Sequence, residues 1–194
     1  MKAAVLASGF LLIACSSCGL FQTREPENPV QASANYVPPT EPSIVFTNMQ
    51  SAFSDLNALN YQKSFSDTSS GGPSFVFEPT SQALAKYGVF LLWSRQSELQ
   101  YFNNFETQLA QGAVPSLVLN FTSQTVGSDS ALFEASYQLT IPHTKANVSQ
   151  SAIGHAQFYL RKDNFQNWSI WRWVDLSNQS GDFTWSDFKG EFGQ

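Results

Sequence analysis

The chain has 194 residues, of which 42% are hydrophobic and 14% aromatic but only 13% charged, and its formal net charge is −5. That balance is globular and charge-poor, which excludes a disordered chain, and an acidic chain with no cluster of Lys and Arg is a poor nucleic-acid binder. Its two cysteines, Cys15 and Cys18, are too few for a structural zinc or a disulfide framework.

Both cysteines stand in one stretch, LLIACSSC at residues 11–18. Before them Lys2 supplies the single positive charge of a signal n-region, and Ala3 to Ala14 is an uncharged run of 12 residues. Such a run suits a signal peptide over residues 1–14 and is too short to cross a bilayer as a helix. A Cys15–Cys18 disulfide would close a very small loop at a chain end and staple nothing. Leu12-Ile13-Ala14-Cys15 resembles the lipobox of bacterial lipoproteins, with an apolar residue, a branched residue and Ala ahead of the lipid-bearing Cys. The resemblance implies cleavage before Cys15, a diacylglyceryl group on its thiol and an acyl group on its new amine. Two or three acyl chains anchor stably where one is marginal. Cys18 fits this pattern less well, having Cys15, Ser16 and Ser17 before it. Ser16 stands where such lipoproteins carry an Asp when retained at the inner membrane, so the resemblance places the protein in the cell envelope, at the outer membrane ahead of the inner. No later apolar run reaches the roughly 18 residues of a spanning helix, so the expected membrane contact is lipid alone. Loss of residues 1–14 removes Lys2 and leaves nine basic against fifteen acidic residues, a formal charge of −6.

From the lipid-bearing Cys15 to residue 43 the sequence predicts a tether. It carries Pro26, Pro29, Pro38, Pro39 and Pro42, and proline favours an extended, semi-stiff spacer reaching on the order of 60–70 Å. The remainder, 44–194, is the size of one domain with one core. Thr47 and Gln50 fit a capping box ahead of Met49, Phe53 and Leu56, which predicts a first helix. Leu59, Tyr61 and Phe65 predict a second helix or a bend, ended by Ser69-Ser70-Gly71-Gly72-Pro73. FVFEP at 75–79 reads as a short strand. A helical stretch over 81–87 is followed by a longer helix from Ser94 to Gln111, with Leu99, Phe102, Phe105 and Leu109 as its apolar stripe. After Pro115 the period becomes two. Leu117, Leu119 and Phe121, then Phe133, Ala135, Tyr137, Leu139 and Ile141, then Ala156, Phe158 and Leu160, then Trp168 and Ile170 mark four long strands of an antiparallel meander. Helices first and strands afterwards give an α+β class.

The last strand, NWSIWRWVD, holds an inconsistency. Regular pairing puts Trp168 and Ile170 on one face and Trp171, Trp173 and Asp175 on the other. A β-bulge at Trp171–Arg172 turns Trp173 and Asp175 inward; without it the aromatic tail (Phe183, Trp185, Phe188, Phe192) would have to cover the outer face.

This element order over about residues 44–176, with Trp168-x-Ile170 in the last strand, is similar to the nuclear transport factor 2-like superfamily, including its SnoaL-like members. The resemblance implies helices packed in a strongly curved antiparallel sheet, a cone with a pocket at its open end, and pairing into a homodimer through the exposed sheet. Enzymes of that fold work by acid–base catalysis in the cone. Here Asp175, inward only with the bulge, and Tyr137 are the candidates, as general base and oxyanion donor. Tyr61, Phe77, Trp93, Phe121, Phe133, Tyr137, Phe158, Trp168 and Trp173 are pocket or core candidates. Two lone histidines, His143 and His155, have no metal-ligand spacing, and no GxSxG, P-loop or GxGxxG pattern occurs. No metal and no cofactor are expected. The leading expectation is a lipid-anchored binding domain for a small apolar ligand or an envelope protein, with a cone-pocket lyase or isomerase as the alternative.

Overall fold

The computed structural model describes residues 35–194. The signal peptide, Cys15 and most of the tether lie outside the described residues. Within them run α1 (Pro42–Ser54), α2 (Ala58–Gln62), β1 (Val76–Glu78), α3 (Ser81–Lys86), a 3₁₀ turn (Gly88–Leu92) and α4 (Arg95–Glu106). Four long strands and a last helix follow: β2 (Ser116–Val126), β3 (Ser130–Thr140), β4 (Ser151–Lys162), β5 (Trp168–Leu176) and α5 (Trp185–Phe192). The expected α+β class, helices against a curved and mostly antiparallel sheet, is the observed one.

α1 starts earlier than a capping box at Thr47 predicts. Pro42 occupies the first turn, where its missing N–H is no loss, and Thr47 lies mid-helix with its hydroxyl on the Ser43 carbonyl. Val45, Phe46, Met49, Ala52 and Phe53 form the buried face. Asn48, also buried, clasps Val37 through both backbone groups, at 3.0 and 2.6 Å. Trp168 N–H donates to the Pro39 carbonyl at 2.8 Å. The last residues of the expected tether are thus bonded to the domain.

α4 is capped by Ser94 and Ser97 in a reciprocal box and ends at Glu106, short of the expected Gln111. Its buried face is Glu98, Tyr101, Phe102 and Phe105. Leu99 and Leu109, placed on the stripe by the sequence reading, are only partly buried, so the stripe is rotated by one residue and includes a carboxylate.

The sheet order is β1-β5-β4-β3-β2, with β1 parallel to β5 and every other pair antiparallel. Two register breaks bend it. Between β2 and β3 the pairing steps from Phe121–Ala135 to Ser123–Glu134, leaving Thr122 unpaired. Between β4 and β5 it steps from Tyr159–Arg172 to Leu160–Ile170, leaving Trp171 as the extra residue. That is the bulge the tryptophan pattern demands: Trp168, Ile170, Trp173 and Asp175 are all buried, while Trp171 and Arg172 are partly exposed. An extra residue increases local twist and re-aims the side chains after it.

With the bulge present, the aromatic tail does not cover the outer face. α5 enters the concave side instead, and seven of its eight residues are buried. The Trp185 ring lies 4.4 Å from Trp173, 5.4 Å from Tyr137 and 5.8 Å from Phe53. Gly190 lets the helix come this close, since a Cβ there would sit 2.3 Å from the Tyr87 ring. The concave face, where the resemblance implies a pocket, is filled by the chain's own C-terminal helix.

The two sides of the bulge predict opposite sensitivities. Trp173→Ala, which empties a fully buried site, is expected to cost about 3–5 kcal/mol. Trp171→Ala, on the outer face, is expected to cost less than about 1 kcal/mol. Urea unfolding followed by circular dichroism measures both; equal costs would mean that the strand is not bulged.

Candidate functional site

Alternation along β3 points Tyr137 inward, and the bulge points Asp175 inward from β5. Between them on β4 lies Gly154, the partner of Tyr137, where a Cβ would fall 2.5 Å from the Tyr137 oxygen and 2.7 Å from the Leu176 carbonyl. Glycine is therefore what lets the tyrosine reach across the sheet. Its hydroxyl donates to Asp175 Oδ1 at 2.7 Å. The two groups nominated for acid–base chemistry do share one buried site.

That site is already occupied. The backbone N–H and hydroxyl of Ser186 donate to Asp175 Oδ2 at 2.7 and 2.5 Å, and Trp185 N–H donates to the Tyr137 oxygen at 2.9 Å. These are amides of the first turn of α5, which no helical carbonyl can satisfy. A carboxylate there caps the helix and complements its dipole. Burial raises the Asp175 pKa, against the Ser186 and Tyr137 hydrogen bonds and the charge of Lys189, which pull it down. Burial, then the Asp175 charge, hold the Tyr137 hydroxyl well above its ordinary value. Both oxygens of Asp175 and both roles of the Tyr137 hydroxyl are committed to the fold.

One turn further along α5, Lys189 is fully buried, as is Glu98 of α4. Lys189 Nζ meets Glu98 Oε1 at 2.5 Å, and Trp93 Nε1 donates to the same oxygen at 2.7 Å. The Tyr61 hydroxyl donates to Glu98 Oε2 at 2.8 Å. The ammonium lies over two ring faces, 3.5 Å from the Trp173 centroid and 3.6 Å from that of Phe77, with Trp93 at 5.7 Å. Burial pushes the Lys189 pKa down to about 8, with the Glu98 and Asp175 charges acting against it. Burial and then the Glu98 charge push the Tyr61 and Tyr101 hydroxyls well up.

Most of the other sequence candidates lie in the core. Tyr61, Phe77, Trp93, Phe133, Phe158, Trp168 and Trp173 belong to the buried core. Phe121 is 43% exposed, although its ring still packs on Phe46 and Phe133. His143 is buried, with its ring nitrogens bonded to the Ser149 carbonyl and the Lys145 amide, and His155 is exposed. Among the described residues no group of three or more His, Cys, Asp or Glu could hold a metal, and no helix is long and apolar enough to cross a membrane. Depressions outside the cone are open to solvent. One lies between Glu78–Gln82 and the end of β5, and another lies on the outer sheet face around Leu132, Tyr159 and Trp171.

Sequence reading missed Glu98 and Lys189. Both carry one signal, a charge set inside an apolar helical stripe. Glu98 precedes Tyr101, Phe102 and Phe105, and Lys189 lies between Trp185, Phe188 and Phe192 at helical spacing. Opposite charges on two such stripes mark a buried pair.

No protein-family model matches the sequence, and no curated protein matches it. Solved structures do. A conserved protein from Planctomyces limnophilus is 12% identical with a TM-score of 0.53 over 68% of this chain and 89% of that one. A proposed aromatic ring hydroxylase from Novosphingobium aromaticivorans is 13% identical with a TM-score of 0.51 over 71% and 86%. A nuclear transport factor 2-like superfamily protein from Salmonella enterica is 12% identical with a TM-score of 0.47 over 71% and 89%. At these identities the first two show a shared fold and nothing of activity; the third adds no argument at its score.

The burial of Lys189 has a titration signature. Its folded pKa, about 8, lies below the ordinary 10.5, so between those values the unfolded chain holds more protons and the contribution of Lys189 to stability rises with pH. Below that window the contribution is constant and lowest. In spectra of lysine-¹³Cε-labelled protein, one resonance is expected to titrate near pH 8 and to vanish in Lys189→Met. Titration of that resonance at the ordinary value would place the ammonium in water.

Proposed function

We propose that this is a lipid-anchored protein of the bacterial cell envelope, acylated at Cys15. Its nuclear transport factor 2-like domain binds a ligand or a partner protein and does not catalyse a reaction in the cone. The observation that carries the binding reading is the seat of α5: its first turn consumes Asp175 and Tyr137, the groups a cone enzyme would need free. The superfamily reading is supported by the element order, helices followed by a curved antiparallel sheet with Trp168 and Ile170 in its last long strand. The anchor is supported by LLIAC alone, and Ser16 after the cysteine favours the outer membrane. The outer sheet face, where Leu132, Tyr159 and Trp171 flank an open depression, remains for a partner or a second copy.

A lyase- or isomerase-like reading has one observation in its favour: Asp175 and Tyr137 meet at 2.7 Å in a water-poor site. It requires α5 to leave before a substrate can enter.

Intact mass of protein extracted from membranes tests the anchor, wild type against Cys15→Ala. The expected result is loss of residues 1–14 plus the mass of a diacylglyceryl and an acyl group, absent in the variant. An unlipidated mass in the wild type overturns the assignment.

A further inference from the structure

The surroundings of Lys189 are those of a ligand in a binding site. A lysine ammonium has three N–H donors. Here one meets Glu98 Oε1, and two ring faces, Trp173 and Phe77, lie close enough to take the others. Glu98 is also held by groups other than the ammonium, Trp93 Nε1 and the Tyr61 hydroxyl. All of these groups come from other parts of the chain, and the helix that delivers Lys189 is joined to β5 by an exposed polar segment over 177–181. That segment ends at Gly181 with φ +91°.

We infer that the concave face is a recognition site for a primary alkylammonium group, occupied in this structure by the chain's own Lys189. The inference rests on the binding reading of the cone above and is independent of the lipid anchor.

The geometry selects within the amines. Arginine-like ligands bind carboxylates best through two parallel N–H···O bonds, but Glu98 Oε2 already accepts from Tyr61 and Oε1 from Trp93. A guanidinium would have to share both oxygens with these donors, whereas the ammonium shares only Oε1. Quaternary ammonium groups are held in aromatic cages through their methyl groups, and nitrogen-to-centroid distances of 3.5 and 3.6 Å leave no layer for a methyl. A compact, unmethylated –NH₃⁺ on an alkyl stem fits. A free ligand of this kind competes with a tethered one, so its apparent affinity for the intact protein is lowered by the fraction of time Lys189 is withdrawn.

Lys189→Ala removes the competitor and leaves space matching propylammonium. Propylammonium is expected to bind this variant saturably, raising its melting temperature and changing the fluorescence of Trp93 and Trp173. Binding is expected to be about tenfold or more tighter than for propylguanidinium or tetramethylammonium, and 1-propanol should give no saturable effect. Adding Glu98→Gln should abolish the response. An equal response to 1-propanol, a response that survives Glu98→Gln, or a folded Lys189→Ala protein indifferent to propylammonium overturns the inference. Should Lys189→Ala not fold alone, recovery of its near-ultraviolet circular dichroism on adding propylammonium supports the site. Failure at every concentration, while Glu98→Gln/Lys189→Met folds, overturns it. None of these outcomes alters the mass test of Cys15.

Discussion

A fully buried ammonium beside a fully buried carboxylate sets the terms for the rest of this structure. Taking either ion out of water costs several kcal/mol, which is recovered only with close pairing and satisfied remaining groups. Glu98 and Lys189 are 91 residues apart, so the requirement binds the C-terminal helix to the first half of the domain. It also explains the company they keep. Tyr61 and Trp93 each spend a donor on Glu98, and Phe77 and Trp173 offer ring faces to Lys189. The same helix is fixed at its start by Asp175 and Tyr137, so Glu98 and Asp175 hold one element at two points a turn apart.

Function follows from what that helix displaces. In a cone-shaped domain the concave face is where a small molecule would enter, and here it holds Trp185, Ser186 and Lys189, all buried. Catalytic groups need a reacting atom within hydrogen-bond reach, and among the described residues the oxygens of Asp175 bond to Tyr137 and Ser186. A shared fold does not carry an activity with it. Here the polar groups of the concave face, Asp175, Tyr137 and Glu98, are bonded to the chain's own C-terminal helix.

Much of the architecture was legible in the sequence because strand alternation and burial are coupled residue by residue. Phe133 through Ile141 alternates as β3 does, whereas β2 is exposed from Asn120 onward, and the conflict between Ile170 and Trp173 is the one the bulge resolves. The parallel pairing of β1 with β5 was not legible, since a run of three residues carries no direction. Helix limits were displaced where local chemistry has two solutions. Thr47 suits a cap, yet Pro42 starts the helix sooner, and Gln111 lies beyond an α4 that stops at Glu106. The site was hidden for a different reason. Charged residues on a helix are ordinarily solvated, so Glu98 and Lys189 read as surface until each is set against the aromatic residues at three and four positions from it.

Glu98 and Lys189 are mutually dependent as a buried pair. A double-mutant cycle by urea unfolding, with Glu98→Gln, Lys189→Met and the double variant, tests it directly. Each single change leaves a buried charge alone and is predicted to cost about 3–5 kcal/mol, with the double variant far more stable than the sum allows. Additive costs would mean that the two groups do not meet inside the cone.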